Sequence, residues 1–435
     1  MDRRGFLAHL GGDAVAALLG FATRSNASGN SPAAMKRFLL SSSGCGRATG
    51  YAETNKIVTF DGKTHVAWLD SASGKFLVRV RTLDRRSGQW SPVYTVGEAV
   101  DNHGGPALTV DSGGFLHIVY HPHHHPFRYR RSVQPNEAAG WTEELRFGKR
   151  CTYPTLLCGA DDTLYLTCRE SDREPWVVNL YTKPPGRQWQ GPRPILQADV
   201  PGYAHFQEAL AWGPDHRTLH LSCRIHDGNP RQGYRNTVGY LYSTDSGHSW
   251  RRDDGREVQL PATTESITVI EKATTPTQRE RLRCGAIAVD RSGKPYILYS
   301  VDGKEAIIAS LDADGQWQKL SVLEHTSERS SLSGVTLPGG IVVGEARIFL
   351  ALTTGRAWGG PNAEVVWLQS ADSGRAFAWQ FASKVDPNVA HWLPSLERPT
   401  GHNRVDVPSL IYTAGPPGEG NRDILSNRVY WVQVC

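Results

Sequence analysis

Between Asp101 and Arg169 the chain concentrates side chains able to move a proton beside a carboxylate. Asp101-Asn102-His103-Gly104-Gly105-Pro106 opens the stretch. An apolar segment, Phe115 to Tyr120, runs into His121-Pro122-His123-His124-His125. Thr152-Tyr153-Pro154 and a second apolar segment, Leu164 to Cys168, then lead to Arg169. A proton next to a sugar carboxylate is hard to remove because the carbon acid is weak, and stabilising the developing enolate electrostatically is often the largest aid. Arg169 and Arg224 carry permanent charge and can grip a carboxylate with paired N–H donors. Tyr153, placed between such cations, is expected to have a lowered pKa. Because a free imidazole titrates near neutrality, His103 or His123 could hold the complementary acid or base role.

Each of these residues also has a plain structural reading. A Tyr before Pro packs at a strand start, and a His in a Gly-Gly-Pro turn is an ordinary exposed polar residue. The run His121 to His125 could hold a transition metal, although in a strand only alternate members face one side. His121 and His124 are possible substrate contacts. Tyr203 and Tyr234 could stack sugar rings near the mouth of the site, or simply pack.

A repeat must position these residues. A polar turn followed by an apolar alternation with an aromatic or His near its start recurs along the chain. Its markers are His65, His117, Tyr165, His220, Tyr296, Phe349 and a looser Leu410, at steps of 52, 48, 55, 76, 53 and 61 residues. Such spacing suits one four-stranded blade per repeat. Ser243-Thr244-Asp245-Ser246-Gly247-His248-Ser249-Trp250 matches the S-x-D-x-G-x-[ST]-W Asp-box of sialidase-type propellers, with weaker copies at Ser87–Trp90, Asp314–Trp317 and Ser370 to Trp379. The expected fold is all-β, a seven-bladed β-propeller of sialidase-like type in a single domain over residues 31–435, closed by a strand from Arg428 to Val434. Ending the equivalent strands of three successive blades, His121, Arg169 and Arg224 are expected to point to the same end of the central channel.

Composition agrees: 44 Gly, 26 Pro and 13 Trp among 435 residues suit short strands and many turns. A net charge of +5 without basic runs favours an anionic ligand over nucleic acid. No apolar run reaches the length of a membrane span, so no membrane insertion is expected. Arg3-Arg4 and the Gly- and Ala-rich stretch behind them read as a twin-arginine export signal over residues 1–30, implying a periplasmic or secreted protein. Seven cysteines are an odd number, no C-x-x-C spacing is present, and Cys168 and Cys223 read as buried thiols. Oligomeric state is not legible.

The stretch Asp101–Ala107, Phe127–Ser132 and Thr152–Leu156 resembles the BNR-repeat propellers that include ulvan lyases, polysaccharide lyase families 24 and 25, and the related rhamnose–glucuronate lyases of family 27. The likeness covers roughly residues 50 to 250. It implies a seven-bladed propeller whose cleft is lined by a His of a D-x-H turn and a second His about twenty residues on, here His103 and His123, with His124 one residue away. It implies a Tyr acting as base and acid sixteen residues before a carboxylate-neutralising Arg, here Tyr153 and Arg169, and a further Arg, here Arg224. No cofactor is required, although some members carry a structural divalent cation whose ligands the likeness does not place. The short segment between His123 and Tyr153 and the histidine–proline run depart from the family pattern and leave the substrate open.

Three functions compete. The first is a polysaccharide lyase cleaving a uronic-acid bond in an anionic polysaccharide such as ulvan. The second, a sialidase-like exo-glycosidase, needs an arginine triad, a Tyr–Glu pair and a separate Asp; no F-R-I-P segment is present. The third is a carbohydrate-binding propeller without catalysis.

Overall fold

Short alternations between Gly- and Asp-rich turns become strands throughout, and no α-helix occurs among the described residues. These are residues 34–434 of the computed structural model, apart from 274–275, 277–280, 333, 356–358 and 419–425. The expected export segment, residues 1–30, lies outside them, as does Cys435. The strands form five antiparallel sheets: one of eight strands, one of seven and three of four. Each four-stranded sheet is a plain meander, for example Ala204–Trp212, Leu219–Asn229, Gly233–Ser243 and Thr268–Lys272. In the eight-stranded sheet the first described strand, Met35–Gly44, pairs antiparallel with the last, Asn427–Val434, so the two ends of the chain complete one another.

The repeat markers fall at equivalent places. His65, His117, Tyr165, His220, Tyr296, Phe349 and Leu410 all lie at or near the start of the second strand of their meander. The histidines among them are structural, since His117 and His220 each bond a tyrosine hydroxyl of the next strand at 2.8 Å. First strands of successive meanders pack on one another, Ala107–Val110 on Leu145–Cys158, then Ala204–Trp212, Leu282–Val289, Val335–Val343 and Ala390–Leu396. The apolar cores lie between adjacent sheets, as where Val178 and Leu180 meet Phe206, Leu221 and Trp250.

Two local devices shape the site. Several first strands carry a bulge against the second strand, and in Leu145–Cys158 the register slips between Thr155–Thr167 and Thr152–Arg169. Tyr153 and Pro154 form the extra length. Pro154 offers no N–H to the ladder, and Tyr153 takes a left-handed φ of 59°. In the turn Ser243–Trp250, Asp245 accepts from the backbone and hydroxyl of Ser249 (2.9 and 2.7 Å) while Trp250 is fully buried. The weaker copy at Ser370 keeps the backbone half of this, Ala376 N donating to Asp372 at 3.0 Å, and its Ser370 hydroxyl bonds Asp372 at 2.7 Å as Ser243 bonds Asp245 at 2.8 Å. There the buried aromatic is Phe377, while the side chain of Trp379 bonds outward to Ser327 O.

Candidate active site

Tyr153 is the hub. The bulge turns its ring inward, where it is only 4% exposed. A non-glycine residue at positive φ is uncommon and gathers at functional sites. The Arg169 guanidinium lies over the phenol face, 4.7 Å from the ring centre. Tyr51 meets the ring edge-on at 5.0 Å and hydrogen-bonds to the phenol. The rings of His205 and His103 stand 5.2 and 6.3 Å away. The expectation of a lowered phenol pKa is not met. Burial raises it, and the nearby Arg169 and Arg47 charges only partly oppose that. Tyr153 is therefore a neutral O–H donor at ordinary pH.

Asp101 organises the histidines. Its Oδ1 accepts from the backbone N–H of His103 at 2.7 Å and from that ring's Nδ1 at 3.0 Å. Its Oδ2 accepts from His123 Nδ1 at 2.6 Å. The two imidazoles stack at 3.8 Å and 20°. A carboxylate holding both Nδ1 protons leaves each Nε2 as the lone-pair nitrogen. Burial, and the Arg47 charge behind it, lower the His103 pKa to about 4 even though Asp101 opposes the shift. Burial would raise the Asp101 carboxyl, but the His103 and His123 hydrogen bonds hold it well below the usual range.

The turn bearing His103 is held by close backbone approach. A Cβ at Gly105 would stand 2.9 Å from Gly50 O, and one at Gly104 would stand 2.6 Å from His121 O.

Both arginines are fully buried. Arg169 donates through Nη2 to His124 Nε2 at 3.3 Å, and its Nε–H meets no acceptor. Arg224 donates to Gln207 Oε1 at 2.9 Å and to His205 Nδ1 at 3.2 Å. Of the buried acids nearby, Glu208 feels both guanidinium charges and Glu53 that of Arg224. Burial drives Glu53 up to about 7 and Glu208 well above the usual carboxyl value. Kept protonated, Glu208 leaves the arginine charge available to an incoming anion.

His124 joins the site: its Nδ1 bonds Ser171 Oγ at 2.5 Å and its ring touches His123 and Trp176. The alternate-face rule fails here because 121–124 is a turn, with φ of 101° at His121 and 58° at His124, so neighbouring His123 and His124 meet. His121 instead turns to Glu98 O at 2.7 Å and to the His125 ring. It therefore does not converge with Arg169 and Arg224 as expected. Tyr203, 47% exposed, packs its ring on Trp176 at 5.4 Å, at the site's rim. Tyr234 stacks on His226 at 4.9 Å, near the tip of the hairpin whose first strand also carries Arg224.

Sequence reasoning missed Arg47, Tyr51, Trp176, His205 and Gln207. Arg47 donates to the Tyr51 hydroxyl, which donates to Tyr153. Arg47 and Tyr51 precede the first repeat marker, so no repeat register pointed to them. His205 and Gln207 had a usable signal, since they alternate in a strand that pairs across to Arg224. Two groups of side chains lie close enough to hold a cation, Asp101–His103–His123 and Cys158–Asp162–His402. In the first, both carboxylate oxygens already take an imidazole proton.

The chain matches the BNR repeat-containing family over residues 63–325. None of the curated proteins compared with it matches. Among solved structures it is similar to an ulvan lyase of polysaccharide lyase family PL25, with a TM-score of 0.70 and 16% identity over 91% of this chain and 95% of that one. The same values hold for that lyase bound to -[GlcA(1-4)Rha3S]-. The polysaccharide lyase Uly1 is similar at a TM-score of 0.60 and 11% identity, over 91% of this chain and 98% of that one. At these identities the likeness is one of fold.

Proposed function

The chain belongs to the BNR repeat-containing family, and from that premise we propose that it is a polysaccharide lyase that cleaves a uronic-acid bond by β-elimination. One observation carries the proposal. A neutral phenol, Tyr153, is held at positive φ between the Arg169 guanidinium and a His103 imidazole whose Nδ1 is anchored on Asp101.

Arg169, with His124 beside it and Arg224 behind, receives the uronate carboxylate and stabilises charge as the enolate forms. His103 Nε2 takes the proton from the carbon beside the carboxylate. The electron pair forms the new C=C bond, the C–O bond to the leaving sugar breaks, and the Tyr153 O–H protonates that oxygen. A proton passing from the His103 imidazolium back to the phenolate restores the starting state. The Arg47–Tyr51 pair donates toward Tyr153 and steadies the phenolate meanwhile. Ulvan is the first substrate to try, because the PL25 ulvan lyase of similar fold holds a -[GlcA(1-4)Rha3S]- unit. The same proposal takes the five sheets as seven four-stranded blades, the eight- and seven-stranded sheets each counting as two, with the long strand Leu145–Cys158 serving both blades of the seven-stranded one. It also takes Arg3-Arg4 as an export signal.

The test is ultraviolet absorbance of the protein mixed with ulvan and a panel of glucuronate and iduronate polysaccharides. A rising unsaturated-uronate signal, absent in Tyr153→Phe, is expected. Silence on every uronate overturns the proposal.

A further inference from the structure

His205 and Gln207 stand near the start of the strand Ala204–Trp212, and Trp212 at its other end borders a cavity of about 450 Å³ that no residue of the candidate site lines. The ends of two further first strands, Val289 and Val343, line it as well. Much of its wall is apolar, with Leu210, Ile287 and Ile341 on successive strands. Two ion pairs of exposed side chains, Arg291 with Glu345 and Arg347 with Asp406, stand at its mouth and neutralise themselves. The Asp290 carboxylate beside them accepts from Ser292 N at 2.8 Å, Lys294 N at 3.0 Å and the Tyr296 hydroxyl at 3.1 Å.

Arg398 also lines this cavity and is only 3% exposed. Its Nη2 donates to Glu53 O at 2.6 Å, and its Nε–H meets no acceptor. Among the described residues none forms an ion pair with it. The carboxyl whose charge reaches it, Glu53, is shared with Lys56 and Arg224. Burial lowers the Arg398 pKa to about 10, which leaves it charged at neutral pH. A buried guanidinium without a counter-charge is rare, because nothing then offsets the loss of its hydration. The backbone beneath it is firmly placed: Arg398 O accepts from Asn403 Nδ2 at 2.9 Å, and Thr400 O from Cys158 N at 2.7 Å.

We propose that this cavity binds a small organic carboxylate, its head on the Arg398 guanidinium and its apolar body along Leu210, Ile287 and Ile341. The volume falls within the range of about 300–1,000 Å³ usual for small-molecule sites. A planar guanidinium matches a carboxylate through paired N–H donors, and one such cation balances one negative charge. Phosphate carries more charge than Arg398 can offset and would lose its hydration against apolar walls. A neutral apolar molecule would fill the walls but leave the guanidinium without a counter-charge. Binding here is read without turnover, so the inference stands or falls apart from the lyase reading.

The test is titration calorimetry of the full chain with hexanoate, hexanol, phosphate and chloride in a zwitterionic buffer. The wild type should take up one hexanoate per chain, at least about tenfold more tightly than the other three. Arg398→Gln removes the charge but keeps an amide N–H for Glu53 O, and should weaken hexanoate binding by about tenfold or more. Gly344→Phe should block the cavity, since an added Cβ at Gly344 meets no atom nearer than 3.8 Å and Gly344 is part of the lining. It carries the test if Arg398→Gln fails to fold. A wild type that does not bind hexanoate overturns the proposal, and so does hexanoate binding retained in either folded variant. Hexanol bound as tightly would make the cavity merely apolar, and phosphate or chloride bound as tightly would make it a plain anion site; either result overturns the organic carboxylate.

Discussion

Asp111 with His117 and Asp101 with His103 are carboxylate–imidazole pairs of the same length, 3.0 Å, on neighbouring parts of the chain. His117 spends both ring nitrogens inside the protein, Nε2 on Asp111 and Nδ1 on the Tyr129 hydroxyl. His103 is anchored through Nδ1 alone, beside Tyr153. The first pair sits in a strand and its turn, where every donor has a neighbour. The second sits in a glycine turn pressed against the bulged strand, with a nitrogen left over. A satisfied pair stabilises a fold, and a pair with one nitrogen left over can exchange a proton. What separates structure from chemistry here is the partner of the second nitrogen.

Breaking the comparison at its centre should have the largest effect. Tyr153→Phe keeps the ring and its packing on Arg169 but removes the proton donor, so kcat should fall by about 10³-fold with an unchanged melting midpoint. An equal loss of folding would mean that the phenol is structural.

Next, Asp101→Asn should lower kcat by about 10²-fold by releasing both imidazoles, and also cost stability through its lost hydrogen bonds. Asp111→Asn should cost stability alone, about 1–3 kcal/mol, and leave activity within about twofold. Matching phenotypes for the two would erase the distinction drawn between them.

The pH dependence sharpens the assignment of roles. With His103 lowered to about 4 and Tyr153 raised above its ordinary value, kcat/KM should be flat from about pH 5 upward and fall only as His103 protonates near pH 4. A profile climbing steadily toward pH 10 would instead make ionised Tyr153 the base. Stability should respond separately. His65 and His220 are held near 4 by burial, against 6.5 when unfolded. As pH falls from 6.5 to 4 the unfolded chain takes up protons that the folded chain refuses, so stability is full above this window and declines through it. Urea melts at several pH values would check this.

The smallest effect is expected at Tyr234, which stacks on His226 near the hairpin tip. Tyr234→Ala should change kcat/KM by less than about threefold, roughly 0.6 kcal/mol. Tyr203→Ala, at the rim on Trp176, should raise KM more than that.

Much of the frame was legible because it rests on local rules. The repeat markers fell at equivalent strand starts since a turn followed by alternation specifies a strand wherever it occurs. Arg169 and Arg224 came together because repetition gives matching positions matching directions, whereas Tyr153 is turned in by its bulge and His103 by its glycine turn. His121 shared that register and still left the site. A turn residue at φ 101° no longer obeys strand alternation, and Glu98 O offered its ring a partner. Trp379 failed similarly, because Phe377, two residues earlier, was on the inward face.

By itself the sequence determined the all-β class, the repeat spacing and which side chains were candidates for the site, all properties of short segments or of their periodicity. Only the tertiary structure decided how those residues are tuned. Burial set the phenol's pKa against the arginine charges, and Arg47 and Tyr51 entered from outside the repeats. A thiol, a carboxylate and an imidazole at positions 158, 162 and 402 became neighbours. Desolvation and long-range proximity depend on what packs around a residue, and no spacing along the chain encodes them.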